Sequence, residues 1–188
     1  YKRQAIATFN RSSYCMNQLR TIAEDSALRN RLDTVYCTDQ GNDLVKDREG
    51  FAEVSAKLGT QLTYIQQSNL GGSGGFSRGM YETVKAGSSD YILLLDDDAV
   101  SEPESILRAI QFADYTIRPL LVGGGMLHLD NRTMLYTQGE RINQQRMWMQ
   151  PSKGLEYNHD FSMEPLRDSP DRHQRCLLYT SDAADEGL

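Results

Sequence analysis

An unbroken apolar run, Tyr91 to Leu95, ends directly against three aspartates, Asp96, Asp97 and Asp98. A strand that is apolar at successive positions, rather than at alternate ones, is typical of a parallel strand covered on both faces. Parallel strands are joined by long crossover connections, which are usually helices. The run therefore favours an α/β protein in which carboxylates lie at the end of a buried strand.

The remaining sequence repeats the same alternation of strand and helix. Strands are predicted at Ala5–Phe9, Thr34–Thr38, Leu62–Ile65, Leu120–Val122 and Met126–Leu129, and helices at about 14–27, Phe51–Leu58, about 76–85 and after Pro103. Apolar residues recur with a helical period in the second set, and β-branched or aromatic residues fill the first. This order predicts a three-layer α/β fold, with a mostly parallel sheet and helices on both faces.

Polar residues follow each of the first four predicted strands. They are Asn10 and Arg11, then Asp39, then Asn69 with the glycines of 71–75, and finally the aspartate triplet. In open α/β sheets, ligands bind beyond the carboxyl ends of the strands. These residues are therefore expected to meet in one site.

Three adjacent carboxylates repel one another, and a divalent cation relieves that repulsion. In an extended chain Asp96 and Asp98 point the same way, so that two oxygens can face one ion. Ligation by oxygen alone suits Mg²⁺ or Mn²⁺, which also carry substrate phosphates. The alternative is a solvated acidic turn that caps the next helix.

The glycines of 71–75 predict a turn in which backbone N–H groups approach an anion at a helix start. The spacing is neither that of a dinucleotide fingerprint nor that of a P-loop. Arg78, one turn further on, could add a cation for a diphosphate. The alternatives are a flexible loop and a surface helix charge.

Composition narrows the classes of partner. With 20 Lys and Arg against 26 Asp and Glu, the net charge of −6 excludes a generic basic nucleic-acid binder. No apolar run approaches the roughly 20 residues of a membrane-spanning helix. Three cysteines are too few and too scattered for a disulfide framework.

Taken in order, these segments resemble a known family. They are Thr8-Phe9-Asn10-Arg11, Asp39-Gln40-Gly41, Asn69 to Gly75 with Ser77-Arg78, Asp96 to Asp98 with Glu102-Pro103, Leu121 to Gly124, and Met147-Trp148. The string resembles the inverting nucleotide-sugar glycosyltransferases of family 2, which have the GT-A (Rossmann-like) fold. Within that family it is most similar to the galactofuranosyltransferases that polymerise cell-wall galactan.

The resemblance implies a donor, UDP-galactofuranose, and a role for each matching residue. Asn10, Arg11 and Asp39 would lie at the uridine, with Thr8 also on the donor side. Asn69, Gly71 and Gly72 would face the ribose and diphosphate, with Arg78 as an added cation. Asp96 and Asp98 would hold Mn²⁺ or Mg²⁺, with Asp97 near the donor sugar. Tyr136, Glu140 and Trp148 match acceptor-side positions, and the alternative for Trp148 is a core residue.

The resemblance also implies what surrounds this sequence. The acceptor would be a lipid-linked galactan at the cytoplasmic face of the cell membrane, and peripheral membrane association and a homo-oligomer are both compatible with it. The family's general base lies in a Trp-Asp-Asp segment that this sequence lacks, so we expect a piece of a longer enzyme that is inactive alone. We predict a donor-binding core at 1–130, the start of an acceptor-side region at 131–174, and a non-native or disordered tail at 175–188.

Three other functions remain open at this point. The chain could use another UDP-sugar within the same family. Asp96 to Val100 also satisfies the Asp-x-Asp pattern of aspartyl-phosphate phosphatases, although that motif usually follows a first strand and leaves the glycine segment unexplained. A non-catalytic module that binds nucleotide-sugars is the third.

Overall fold

The computed structural model describes residues 2–118, 121–137, 140–151 and 158–163. The strands are β1 (Lys2–Thr8), β2 (Thr34–Asp39), β3 (Leu62–Gln66), β4 (Tyr91–Asp96), β5 (Met126–Leu127), β6 (Leu135–Thr137), β7 (Glu140–Asn143) and β8 (Trp148–Pro151). The helices are α1 (Ser12–Glu24), α2 (Ser26–Arg29), α3 (Phe51–Leu58), α4 (Gly71–Ala86) and α5 (Pro103–Tyr115), and short 3₁₀ turns lie at Val45–Asp47 and Gly59–Gln61. The four predicted helices and the first four predicted strands all form. The strand bounds agree to within one residue, except that β1 begins three residues earlier than predicted.

The first four strands form one parallel sheet in the order β3-β2-β1-β4. In register, Thr8 at the end of β1 lies opposite Asp39 of β2, and Ala7 lies opposite Asp96 of β4. The three carboxyl ends are therefore level with one another. The chain order reverses beside β1, and such a switch point opens a crevice where ligands bind in α/β sheets.

Helices cover both faces of this sheet, which confirms the predicted α/β, Rossmann-like class. On one face, apolar residues of α1, α3 and α5 pack on the even-numbered side of β1 around Ile6. The helix α4 lies on the other face, against Ala5 and Ala7. The residues of β4 contribute to both clusters, Leu93 and Leu95 to one and Ile92 and Leu94 to the other.

The glycine-rich segment differs from its prediction, because α4 begins at Gly71 rather than near Phe76. Glycine lowers helix stability by roughly 1 kcal/mol relative to alanine, which is why the segment reads as a turn. Packing overrides that preference. A Cβ on Gly75 would lie 2.6 Å from the Cβ of Ala7, and one on Gly79 would lie 2.4 Å from that of Ala5. The glycines therefore let a helix approach β1 closely.

The chain divides into two compact units, with the boundary between Ile110 and Gln111. The second unit contains two antiparallel pairs, β5 with β6 and β7 with β8. The predicted strand at Leu120–Val122 is wrong, since Leu121 and Val122 have no regular structure and residue 120 lies outside the described residues. The three glycines that follow offer no side chains to pack against a neighbouring strand. The predicted tail at 175–188 also lies outside the described residues.

Within the described ranges, no helix combines the length and apolarity that crossing a bilayer demands.

Candidate active site

A cleft of about 340 Å³ lies at the carboxyl ends of β1, β2 and β4 and at the amino end of α4. Its lining is Ala7, Thr8, Phe9, Arg11, Gln40, Asn69, Gly71, Gly72, Phe76, Asp96 and Asp97. Residues that follow four different strands thus converge, as the strand-end argument predicted. Thr8, Arg11, Asn69, Gly71, Gly72, Asp96 and Asp97 were all singled out from the sequence.

The middle aspartate of the triplet is held against β1. Thr8 Oγ1 donates a hydrogen bond of 2.6 Å to Asp97 Oδ2, and both residues are buried. Burial raises the pKa of Asp97 and the neighbouring charge of Asp98 adds to this, while the hydrogen bond from Thr8 opposes it. The pair fixes the loop after β4 to the end of β1.

The outer aspartates have a different environment. Asp96 is exposed and lines the cleft. Asp98 forms an ion pair with the guanidinium of Arg11, and each of these two side chains is about half exposed. Gln18, which is buried in α1, donates to the backbone carbonyl of Asp96 at 3.2 Å and also to that of Ala99, so that the loop carrying the triplet is anchored.

The residues present fit a divalent cation that keeps open positions. No group of three or more His, Cys, Asp or Glu side chains converges on a metal site in the part of the chain that the structure describes. Asp97 is buried and accepts from Thr8, whereas Asp96 and Asp98 are exposed, so these two are the carboxylates that could act as ligands. Mg²⁺ is commonly bound by one or two carboxylates together with substrate phosphates and water.

The amino end of α4 provides a partial positive charge beside these carboxylates. Gly71 and Gly72 line the cleft, and Asn69 Oδ1 accepts a hydrogen bond of 2.9 Å from Gly71 N–H, which holds Asn69 against this end of the helix. Backbone N–H groups and the helix dipole make such an end favourable for anions. Arg78 does not line the cleft, and instead donates to Glu82 Oε1 at 2.9 Å, one turn on in α4.

Two residues expected at a nucleotide base organise a loop instead of lining the cleft. Asp39 is fully buried, and it accepts hydrogen bonds from Val45 N–H at 2.8 Å, Gly41 N–H at 3.1 Å and the Tyr64 hydroxyl at 2.7 Å. Burial and the contact with Asp39 raise the pKa of Tyr64, so that the hydroxyl remains a donor. Asn10 has a φ of 55°.

The side chain of Asn10 completes this loop. Its Oδ1 accepts from Asn42 N–H at 2.8 Å and from Asp43 N–H at 3.1 Å. A Cβ on Gly41 would lie 2.5 Å from that oxygen, so glycine is required for the close approach. Asn10 and Asp39 therefore shape the segment 41–45 from its two ends.

The predicted acceptor-side residues lie in the second unit. Tyr136 of β6 is half exposed and meets His128 edge to face, with ring centroids 5.4 Å apart. Glu140 begins β7, and Trp148 begins β8 with 72% of its surface exposed. The alternative that Trp148 belongs to a hydrophobic core is wrong.

The cleft also contains residues that the sequence argument did not select. Gln40, Phe9 and Phe76 contribute to the lining. Gln40 directly follows β2, so the strand-end rule that selected Asp39 would have found it one residue further on. No comparable signal marks Phe76, because its position depends on α4 beginning five residues earlier than predicted.

Comparison with known proteins assigns the family. Residues 4–181 match the family model described as glycosyltransferase like family 2. The galactofuranosyltransferase GlfT2 of Mycolicibacterium smegmatis is 39% identical over 172 residues, which are 92% of this chain and 27% of that protein. GlfT2 of Mycobacterium tuberculosis is 40% identical over 167 residues, or 89% of this chain and 26% of that protein. The chain thus spans about a quarter of the length of these relatives.

Solved structures of lower similarity were also found. The crystal structure of S. aureus TarS 1-349 in complex with UDP has 18% identity and a TM-score of 0.40, and the match covers 60% of this chain and 32% of that one. The structure of 4-diphosphocytidyl-2C-methyl-D-erythritol synthase has 13% identity and a TM-score of 0.40, with 72% and 67% covered. Since the family model matches nearly the whole chain, this protein belongs to glycosyltransferase family 2.

Proposed function

We propose that this chain binds UDP-galactofuranose and forms the donor half of an inverting, metal-dependent galactofuranosyltransferase. The observation that carries the proposal is the cleft itself, which is lined both by the exposed carboxylate of Asp96 and by Gly71 and Gly72 at the amino end of α4. A diphosphate between a divalent cation and helix N–H groups is stabilised from both sides. The two relatives that are about 40% identical are both galactofuranosyltransferases, which supports the choice of sugar.

The polar residues in and beside the cleft have separate roles in this proposal. The diphosphate lies against Gly71 and Gly72 at the amino end of α4, where Gly71 N–H is held by Asn69 and Gly72 offers its backbone N–H, and Asn69 lies at the ribose. Arg11 contacts the nucleotide directly, whereas Asn10 and Asp39 act through the segment 41–45, whose backbone they fix. Asp97 lies near the donor sugar and is held there by Thr8.

Asp96 and Asp98 would hold Mn²⁺ or Mg²⁺. When bound, the cation neutralises the charge that develops on the departing UDP. A hydroxyl of the acceptor attacks the anomeric carbon from the opposite face, so that one bond forms as the bond to UDP breaks and the configuration inverts. The proton of that hydroxyl goes to a general base in a part of the longer enzymes that this chain does not match.

We further propose that Tyr136, Glu140 and Trp148 face the acceptor, a lipid-linked galactan at the cytoplasmic face of the membrane. The exposed indole of Trp148 offers an apolar plane on which a sugar ring can stack. The family match decides against the aspartyl-phosphate phosphatase. The alternative is a donor with a different sugar, and the binding experiment must distinguish UDP-galactofuranose from other UDP-sugars.

The test is a calorimetric titration of UDP and of UDP-sugars, with and without Mn²⁺. We expect UDP binding that requires Mn²⁺ and that is lost in Asp96→Ala and in Asp98→Ala while the circular dichroism spectrum is unchanged. Asp47→Ala, which removes an exposed carboxylate of the 3₁₀ turn, is the matched control and should bind as the wild type does. Affinity that does not change in either triplet variant would contradict the proposed site.

A further inference from the structure

The side chain of Gln18 joins the middle of α1 to the loop that carries the aspartate triplet. Gln18 is buried, with 2% of its surface exposed, and it shares the buried face of α1 with Leu19 and Ile22. Its Nε2 donates to the backbone carbonyl of Asp96 at 3.2 Å and also to that of Ala99. One amide group thus satisfies two backbone carbonyls that lie three residues apart.

The two carbonyls lie on either side of the turn that Asp97 and Asp98 form. The side chain of Asp98 pairs with Arg11, and it would exchange that partner for a cation. The contacts of Gln18 are made to backbone atoms instead, so they persist whatever the carboxylates bind. The segment 96–99 therefore has an attachment to α1 that does not depend on its ligands.

The spacing between the carboxylates of Asp96 and Asp98 depends on the shape of this turn. Mg²⁺ demands a near-octahedral arrangement with oxygens at about 2.0–2.1 Å, whereas Ca²⁺ accepts more varied arrangements at about 2.3–2.6 Å. A turn that is fixed at both ends holds its carboxylates at one spacing, whereas a loose turn lets them adapt to either ion. Selection of the smaller cation therefore requires that the turn be held.

We propose that Gln18 is a positioning residue that fixes the spacing of Asp96 and Asp98, and that the site thereby selects a small divalent cation. The inference rests on the proposed function and deepens it by assigning the choice of metal to a residue outside the cleft. Since Gln18 is not among the residues that line the cleft, it acts through the backbone of 96–99 rather than by contact with the metal or the nucleotide. Its loss should weaken the binding of Mg²⁺ more than that of Ca²⁺.

The test compares Gln18→Met, which keeps the length of the side chain and removes the amide, with wild type, using metal ions alone. Mn²⁺ binding is followed by electron paramagnetic resonance, and Mg²⁺ and Ca²⁺ are measured by their displacement of Mn²⁺. We expect the affinity for Mg²⁺ to fall about tenfold, as is typical when a group that supports a metal ligand is lost, and the affinity for Ca²⁺ by less than about twofold. Hydrogen exchange without metal should become faster in peptides that cover residues 96–100.

Gln61→Met is the matched control. Gln61 Nε2 also donates to two backbone carbonyls three residues apart, those of Arg29 at 2.9 Å and Leu32 at 2.6 Å, and it does not line the cleft. The variant should lower stability without changing the ratio of Mg²⁺ to Ca²⁺ affinity or the exchange at 96–100.

If Gln18→Met does not fold, Gln18→Asn replaces it, because the shorter side chain leaves room for water beside the two carbonyls. The same fall in the ratio of Mg²⁺ to Ca²⁺ affinity is expected. An unchanged ratio in the folded variant, or unchanged exchange at 96–100, would overturn the inference and leave the proposed function standing. Wild-type protein that binds no Mn²⁺ would instead overturn the metal site of the proposed function and, with it, the selection of metal by Gln18.

Discussion

The guanidinium of Arg11, which follows β1, forms an ion pair with the carboxylate of Asp98, which follows β4. The two residues are 87 positions apart in the chain, and they meet because β1 and β4 are neighbours in the sheet. The positive charge of Arg11 therefore lies beside a carboxylate that we propose as a ligand of the divalent cation. In the proposed site, the arginine and the cation would compete for Asp98, and a bound nucleotide would give the arginine another partner.

Arg11→Met should therefore change two affinities in opposite directions. The affinity for Mn²⁺ alone should rise about threefold, since a half-exposed ion pair contributes at most about 1 kcal/mol. The affinity for UDP in saturating Mn²⁺ should fall about tenfold, because a charge-assisted contact is lost. Mn²⁺ binding is followed by electron paramagnetic resonance and UDP binding by calorimetry.

Arg108→Met provides the control for net charge, because Arg108 pairs with Glu104 on the surface of α5. It should leave both affinities unchanged. If Arg11→Met binds Mn²⁺ no better than wild type does, Asp98 is not shared between the two cations.

Thr8→Val should destabilise the protein by about 2 kcal/mol. The change keeps the shape of the side chain but removes the hydroxyl that donates to the buried carboxylate of Asp97, and hydrogen bonds to charged groups contribute about 1.5–3 kcal/mol. Urea denaturation measures the loss. Thr63→Val, at an exposed position of β3, is the control and should be close to neutral. Equal stability of the Thr8 variant and wild type would show that the hydrogen bond from Thr8 to Asp97 does not stabilise the folded protein.

The sheet and the location of the site could be predicted from the sequence because both depend on simple periodic patterns. A continuous apolar run indicates a strand that is packed on both faces. The parallel register of β1, β2 and β4 then brings the carboxyl ends of these strands level with one another. That reasoning required no contact between specific side chains. It is the reason that Arg11, Asn69 and Asp96 were found, whereas Thr8 was selected only through the resemblance to the family.

The roles within the site were harder to predict because they depend on which group each side chain reaches. Asp39 and Asn10 are polar residues at strand ends, yet their side-chain oxygens accept hydrogen bonds from backbone N–H groups of the segment 41–45. Arg78 forms an ion pair with Glu82, which lies four residues further along α4. The start of α4 was misplaced because glycine propensity is local, whereas the packing of Gly75 and Gly79 on β1 is not.

Gly79→Ala tests that packing directly. The added methyl group would lie 2.4 Å from the Cβ of Ala5, so α4 or β1 must move, and overpacking of this kind costs about 1–3 kcal/mol. Gly124→Ala is the control, since nothing lies within 4 Å of the added atom. Chemical denaturation should show a loss only in the first variant. A Gly79→Ala protein as stable as wild type would mean that α4 does not pack on β1 at this distance.

Asp43 should make the stability of the protein depend on pH in the acidic range. Ser12 Oγ donates to Asp43 Oδ2 at 2.7 Å and Arg48 forms an ion pair with the same oxygen, and these contacts hold the pKa of Asp43 below its ordinary value. The unfolded chain thus takes up a proton at a higher pH than the folded chain does. The stability that Asp43 contributes is complete above the ordinary carboxyl pKa of about 4, and it is lost as the pH falls through the lowered value.

Asp43→Asn should accordingly be less stable than wild type at pH 7, and the difference should shrink on acidification below about pH 4. Asp47→Asn, which changes an exposed carboxylate of the same segment, is the matched control and should follow wild type throughout. Urea denaturation at a series of pH values measures the difference. A constant difference between Asp43→Asn and wild type at every pH would show that the charge of Asp43 does not contribute to stability. Equal stability at pH 7 would show that backbone contacts, such as that of Asp43 N–H with Asn10 Oδ1, are enough to hold the segment 41–45.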